Sequence, residues 1–462
     1  GSMAPTREVI DQLLDLYNKG DLNAVINQAK EHIKCFPESS ILWNMFGVAN
    51  QRLGKIIEAT SAFKKVTVLN PNSPEGYNNL GVALKNQGKL KEALEAFNKA
   101  LSIKPDYAET YNNIGLLYIS QHKLNKAIKS FNLAITIKSD YADAYNNMGN
   151  ALQEKGDTEG AIKSFEKALS LRPNSAEVHN NIGDAFKKKG EHENAIKAFK
   201  LALSIKPDFA EAFYNLGVTL QDLGKLKEAL EAFNKSLSIN ANYAETYNNI
   251  GIILKNQDKK EQAIEAYKKA LRLKPNFSQA LYNFGIVLKG QGNLNESIGS
   301  FKKVLSLEPD NEIARAQKLH QLAHICEWEA IEEDRLLIPR LGINKKFINP
   351  FLLLSLEDNP DNHRKRSEVY GKSNLIFTQL PLIQKPLKKP SRIRIGYFSS
   401  DFKEHPVSYL LAGVIEQHNR DYFEIFAYSF ISKKQDELQK RLKKTFNVFN
   451  DVSEMSDKEV AS

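Results

Sequence analysis

The chain has 462 residues, 42% of them hydrophobic and 26% charged, a balance found in soluble globular proteins with room for two or more cores. It shows no N-terminal signal pattern and no apolar run long enough to cross a bilayer, and its two cysteines, Cys35 and Cys326, form no C-x-x-C motif. A disulfide framework, a cysteine-built zinc site and a membrane partner are therefore not expected, and a cytoplasmic location is. The net charge of +9 does not argue for nucleic acid, because lysines recur at one repeat position, as in Lys65, Lys99, Lys167, Lys235, Lys269 and Lys303, where they read as a solvated helix face.

Gly1 and Ser2 ahead of Met3 read as the scar of a cleaved tag. Residues 4–39 read as a degenerate first repeat: Pro37 keeps the register, while Leu13 replaces a glycine and Val25 an alanine, as suits an end unit with one neighbour missing.

From residue 40 to 311 a 34-residue pattern runs eight times without insertion or deletion. Glycine recurs from Gly47 through Gly81 and Gly115 to Gly285, an aromatic ring from Phe63 through Phe97 to Phe301, and a small residue from Ala59 to Ser297. Two amphipathic helical stretches per period are the signature of stacked hairpins, since one hairpin alone cannot bury its apolar face. The fold class is therefore mostly α. Tyr77, Gly81, Ala93, Phe97, Ala100 and Pro105 stand where the tetratricopeptide repeat (TPR) family places its signature residues, and this resemblance implies a TPR α-solenoid with a right-handed superhelix.

In each repeat, helix A is expected to end near a glycine that can turn left-handed: Gly54, Gly88, Gly156, Gly190, Gly224 or Gly292, with His122 and Asp258 as substitutes. Helix B is expected to stop near Pro71, Pro105, Pro173, Pro207, Pro275 and Pro309, and the Asp or Asn that follows (Asp106, Asn174, Asp208, Asn276, Asp310) to cap the next helix A.

The sixth position of helix A points to function. It holds Asn79, Asn113, Asn147, Asn181, Asn215, Asn249 and Asn283, with Met45 in the first full repeat, although asparagine in a helix interior costs roughly 0.5 kcal/mol or more relative to alanine. Two explanations fit. Each amide bonds the neighbouring repeat's backbone, or the amides face a groove and grip the peptide units of a bound chain. The second explanation predicts that replacing Asn181, Asn215 and Asn249 weakens peptide binding and leaves stability nearly unchanged. Position five is often asparagine too, and an acidic or amide row (Glu75, Glu109, Asp143, Glu177, Glu211, Glu245, Gln279) lies one turn earlier, able either to select side chains of a guest or to favour the helix start through its dipole.

Residues 312–345 read as one more degenerate hairpin. His320 and His324 stand i, i+4 there but lack a third ligand at a fitting spacing, so packing or capping outweighs a metal and no metal site is expected. A helix is expected from Asp361 to Tyr370, followed by a connector with Pro381, Pro386, Pro390, Lys385, Lys388 and Lys389 that marks a domain boundary near residue 390. Beyond it, strands over Arg392–Phe398, Phe423–Phe430 and Phe446–Phe449 alternate with helices over Val407–His418 and Gln435–Lys444. This order begins a parallel α/β sheet, with the loop Ser399–Pro406 at the strand end where such sheets bind ligands. The sequence stops at Ser462, too soon for a complete sheet of this kind.

The asparagine row, the stretch Cys326-Glu-Trp328, the stretch Arg394-Ile-Gly396-Tyr-Phe-Ser-Ser400-Asp401-Phe402 with His405-Pro406, and Phe423-Glu-Ile-Phe-Ala-Tyr428 together resemble the protein O-GlcNAc transferases. The resemblance implies a TPR superhelix leading through a helical transition into a Rossmann-like glycosyltransferase that moves N-acetylglucosamine from UDP-GlcNAc to Ser or Thr of proteins. It implies further that the seven asparagines hold the backbone of extended Ser/Thr-containing polypeptides, and that His405 is an active-site histidine, contacting acceptor or sugar or acting as general base. No cofactor is implied beyond the UDP-GlcNAc donor, and the catalytic region is only begun, so the chain is expected to be inactive alone. Two alternatives stay open: a TPR scaffold that joins partner proteins, and a Spindly-type relative that uses GDP-fucose.

Overall fold

The computed structural model describes residues 4–343, 347–374, 391–430, 436–455 and 460. The chain divides into two units, Gly1–Ile331 and Glu332–Ser462. The first is a solenoid of helical hairpins. A first pair, Arg7–Asn18 and Leu22–Cys35, precedes eight regular pairs that begin with Ser40–Arg52 and Ile56–Leu69 and end with Ser278–Gly290 and Leu294–Leu307.

Each hairpin is locked by one close contact. The aromatic ring of helix B lies flat against the glycine of helix A, so near that a methyl group on Gly81 would sit 2.5 Å from the Phe97 ring, and one on Gly47 would sit 2.7 Å from Phe63. The rings of Phe63, Phe97, Phe131, Phe165, Phe199, Phe233, Tyr267 and Phe301 are fully buried. Glycine is required here for proximity rather than for backbone freedom. Ala59, Ala93, Ala127, Ala161, Ala195, Ala229 and Ala263 are equally buried. Ser297 takes the same place in the last repeat and donates its hydroxyl to the Gly285 carbonyl at 2.6 Å, so this buried hydroxyl is paired.

The turn between helices follows expectation: all six turn glycines have φ between +73° and +94°, and the substitutes His122 and Asp258 adopt φ 56° and 58°. The helix starts do not. The N-cap lies one residue beyond the Asp or Asn that follows proline, at Tyr107, Phe209 and Phe277, where no side chain caps the helix, and at Ser175 and Asn311, where one does. Asp106, Asn174, Asp208, Asn276 and Asp310 are therefore not the caps. At several of these joints a lysine ends helix B and lies over the N-cap ring instead, as Lys104 does over Tyr107 at 4.7 Å and Lys206 over Phe209 at 4.9 Å.

The degenerate first repeat keeps the architecture, with Leu13 and Val25 fully buried. Past the array, helix Glu312–His324 is regular and Cys326, at φ 58°, occupies the position of the turn glycine. Only the five-residue helix Trp328–Glu332 follows, so the last hairpin has one full helix rather than two.

In the second unit, helix Pro360–Asn374 is longer than expected at both ends. Its Arg366 is fully buried, donating to the carbonyls of Leu341 and Ile338 at 2.8 and 2.7 Å and pairing with Glu357 at 2.7 Å, a partner set that offsets the desolvation of the charge. The connector residues Pro381, Lys385, Pro386, Lys388, Lys389 and Pro390, and Gln435 at the start of the last expected helix, lie outside the described residues. Strands β1 (Ile393–Ser399), β2 (Phe423–Ser429) and β3 (Val448–Asp451) form one parallel sheet in the order β1-β2-β3, with Ile393 opposite Phe423 and Phe426 opposite Val448. Helices Pro406–Glu416 and Glu437–Thr445 pack Ala412, Ile415, Leu438 and Leu442 against Ile425 and Ala427 on one face of the sheet.

A Gly81→Ala substitution should destabilise the array by about 1–3 kcal/mol through overpacking against Phe97. The double variant Gly81→Ala/Phe97→Leu should lose less than the sum of the single variants, which urea denaturation of all three would test.

Candidate functional site

The asparagine rows form an inter-repeat hydrogen-bond chain. Asn79 donates its Nδ2 to Asn44 Oδ1 at 3.1 Å, Asn113 to Asn78 at 3.0 Å, Asn147 to Asn112 at 3.0 Å and Asn181 to Asn146 at 3.0 Å. Asn215 donates to Asn180 at 3.0 Å and Asn283 to Asn248 at 3.1 Å. Each bond links the sixth position of one helix A to the fifth position of the helix A before it. The neighbour's side chain, and not its backbone, is the partner. Fifth-position residues lie deeper: Asn78, Asn112, Asn180 and Asn248 are buried, whereas the sixth-position asparagines other than Asn215 remain partly exposed.

Two tyrosines, Tyr214 and Tyr282, replace asparagine at the fifth position. Asn249 donates to the Tyr214 hydroxyl at 3.3 Å, and the Tyr214 ring packs 4.9 Å from that of Tyr243. In the third repeat Thr110 donates to Asn78 Oδ1 at 3.0 Å. The matching Thr246 has Tyr214 in place of that asparagine, and its hydroxyl is buried without a hydrogen-bond partner among the described residues.

The acidic row lies in the first turns of the A helices. Two of its members also reach across to the end of the following helix B: Asp143 pairs with Arg172 at 2.7 Å and Glu245 with Lys274 at 3.0 Å. These carboxylates thus favour helix starts through the dipole, and Asp143 and Glu245 also tie the two helices of their own repeats together.

At the middle of the array the amides border a cavity of about 200 Å³, lined by Asn180, Asn181, Asn215 and Glu211 together with Asn150, Gln153 and Asp184. Gln153 donates to Asp184 at 2.5 Å, and Lys187 and Lys188 pair with the same carboxylate at 2.8 and 2.9 Å. Burial by itself would raise the Asp184 pKa, but the bonds and charges of the two lysines outweigh it and hold the group below its ordinary value. Asp184 is therefore ionised at neutral pH.

In the second unit the loop after β1 is tied down at several points. Asp401 N–H donates to Ser399 Oγ at 2.9 Å, Ser408 Oγ donates to the Asp401 carbonyl, and Glu404 N–H donates to Asp436 at 2.7 Å. Phe402 is buried in the core beneath. His405 caps helix Pro406–Glu416: its Nδ1 accepts from the Val407 N–H at 3.2 Å and lies 3.8 Å from Asp401 Oδ2. A ring whose Nδ1 accepts carries its proton on Nε2, so this imidazole presents a donor outward.

His324 Nδ1 contacts the His320 carbonyl at 3.0 Å, which makes this pair a helix-end device, and no group of three or more potential metal ligands occurs among the described residues. No helix among them is long and apolar enough to cross a membrane. The Tyr214 break and the buried Arg366 were missed in the sequence. The first is visible as one of two tyrosines, with Tyr282, in the fifth-position row, and the second has no local signal.

Comparison with known proteins defines the class first. Profiles described as TPR repeat match residues 115–156, 149–190 and 183–224, and profiles described as Tetratricopeptide repeat match 74–107, 208–276 and 266–299. The hairpin array is a TPR solenoid. Residues 365–462 match Glycosyl transferase family 41, so the chain joins TPR repeats to a segment of that family. It is 30% identical over 161 residues, 31% of this chain and 16% of the relative, to the probable UDP-N-acetylglucosamine--peptide N-acetylglucosaminyltransferase SEC of Arabidopsis thaliana. It is 31% identical over 88 residues, 19% of this chain and 7% of the relative, to the UDP-N-acetylglucosamine--peptide N-acetylglucosaminyltransferase of Caenorhabditis elegans. The matches thus span less than a fifth of the length of either relative. Among solved structures, the APC/C hetero-tetramer Cut9-Hcn1 aligns with TM-score 0.49 at 17% identity, over 65% of this chain and 59% of the other. YrrB, described as a TPR protein with an unusual peptide-binding site, aligns with TM-score 0.34 at 27% identity, over 40% and 96%.

Asn78→Ala removes the acceptor shared by Thr110 and Asn113 and should cost about 1–3 kcal/mol, whereas Asn79→Ala loses one half-exposed bond and should cost about 0.5–1.5 kcal/mol. Urea midpoints of the two variants would check the order.

Proposed function

We propose that this chain is the polypeptide-gripping arm, with part of the catalytic region, of a protein glycosyltransferase of the kind that moves N-acetylglucosamine from UDP-GlcNAc to Ser or Thr. The observation that carries the reading is the row of asparagines at the sixth position of seven successive repeats, partly exposed except for Asn215, in a chain that also holds a family 41 segment. Because each Nδ2 gives one hydrogen to the preceding repeat, the side chain's position is set, and its Oδ1 is left to accept from the backbone N–H of an extended guest. Asn79, Asn113, Asn147, Asn181, Asn215, Asn249 and Asn283 are the gripping residues. The same bonds make them structural, so the expectation that their removal leaves stability nearly unchanged gives way to a double role.

His405 is the residue of the β1 loop assigned to the reaction. Its Nδ1 is occupied by the Val407 N–H, which favours a role as hydrogen-bond donor from Nε2 to acceptor or sugar over that of general base. The donor nucleotide is UDP-GlcNAc by likeness to the two named transferases.

A matched pair of double variants separates grip from stability. Asn147→Ala/Asn181→Ala and Asn112→Ala/Asn146→Ala break the same two bonds, but only the first pair removes sixth-position amides. Both should melt lower. In fluorescence anisotropy with an extended Ser/Thr-containing peptide, the first should bind roughly tenfold more weakly and the second within about threefold of wild type. Equal losses in both would overturn the reading.

A further inference from the structure

One residue position breaks the period where the cavity lies. The residue after the register glycine is aliphatic in six repeats, as Val48, Val82, Leu116, Val218, Ile252 and Ile286, and each of these packs partly buried against the local core. In the fourth and fifth repeats it is Asn150 and Asp184 instead, and both line the cavity of about 200 Å³ beside Asn181 and Asn215. Placing amide and carboxylate where six sister repeats pack a hydrocarbon forgoes apolar burial, and a structural role alone would be served by valine.

The groups facing the cavity have a definite hydrogen-bond sense. Asn181 and Asn215 each give one Nδ2 hydrogen to the preceding repeat, which fixes their amides and leaves their carbonyl oxygens as acceptors beside one remaining N–H each. Asn180, itself 3% exposed, donates to Glu211 Oε1 at 3.3 Å. The Asp184 carboxylate is taken up by Gln153, Lys187 and Lys188, so two lysines balance the two carboxylates of the lining. A site that is rich in acceptors but near neutral in charge suits a neutral donor better than a cation, and a cavity of this size admits one side chain.

We propose that this cavity is a side-chain subsite that takes one neutral hydrogen-bond-donating residue of a bound polypeptide, Ser, Thr, Asn or Gln, and thereby sets the register of a chain that the asparagine row alone would grip without regard to sequence. The proposal rests on the groove reading above and adds to it a choice of side chain at one place.

The test uses the whole 462-residue chain and a carrier peptide of about twenty Ala, Gly and Pro residues, kept extended by its prolines, with one central residue set to Thr, Gln, Lys or Leu. The wild type should bind the Thr and Gln peptides roughly five- to tenfold more tightly than the Leu peptide. In Asn150→Val/Asp184→Val, which restores the residue type of the sister repeats, that preference should vanish while affinity for the Leu peptide stays within about twofold. Preference retained in the variant, a Lys peptide bound most tightly, or all peptides bound alike by the wild type would each remove the subsite and leave the groove standing. Failure of the wild type to bind any of the peptides would remove both.

Discussion

The contact on which the array depends is the seating of one aromatic ring on one glycine in every repeat. With no side chain on the glycine, helix B approaches helix A closely enough for the ring to be wholly enclosed, and the small residue one turn before the ring is buried with it. Because eight hairpins carry the same contact, they have nearly the same internal geometry, and stacking them places equivalent residues at equivalent places. A solenoid can carry a ladder of identical side chains only if its units repeat this closely.

The asparagine rows exploit that regularity. A side-chain amide has a donor end and an acceptor end, and the fifth and sixth positions use them in opposite senses: the fifth-position asparagines supply oxygens, and the sixth-position asparagines supply N–H groups to them. The bonds recur at the repeat spacing and leave the sixth-position carbonyl oxygens outside this ladder. The cost of asparagine within a helix is offset by bonds between repeats, which is why neither of the two explanations suggested by the residue pattern suffices alone. At Tyr214 the donor and acceptor sequence is interrupted by a phenol that reaches the amide of Asn249 but leaves Thr246 unsatisfied.

In the second unit the polar loop after β1 is held by bonds to its own backbone and to Asp436, while Phe402 anchors it in the core. His405 is thereby fixed at the head of a helix with a defined tautomer. The pattern Ser-Ser-Asp-Phe and His-Pro singled this loop out as a candidate site in the sequence. The direction in which the imidazole can donate came from the Val407 contact, which no spacing in the chain reveals.

The 34-residue period, the turn glycines with their substitutes His122 and Asp258, the buried rings and the alternation of strands and helices after residue 391 were legible in the sequence. They follow from local rules: periodicity, chirality of the turn and the burial of apolar faces. The true N-caps one residue past the acidic ones, the shortened last hairpin, the buried Arg366, the pairing of fifth with sixth positions and the polar cavity at Asn150 and Asp184 were decided by tertiary structure. The Arg366 contacts, the amide pairing and the cavity depend on the distance between groups far apart along the chain, about one repeat for the amides, and a hydrogen bond is made or lost within a few tenths of an ångström, a precision that residue identity and spacing do not carry.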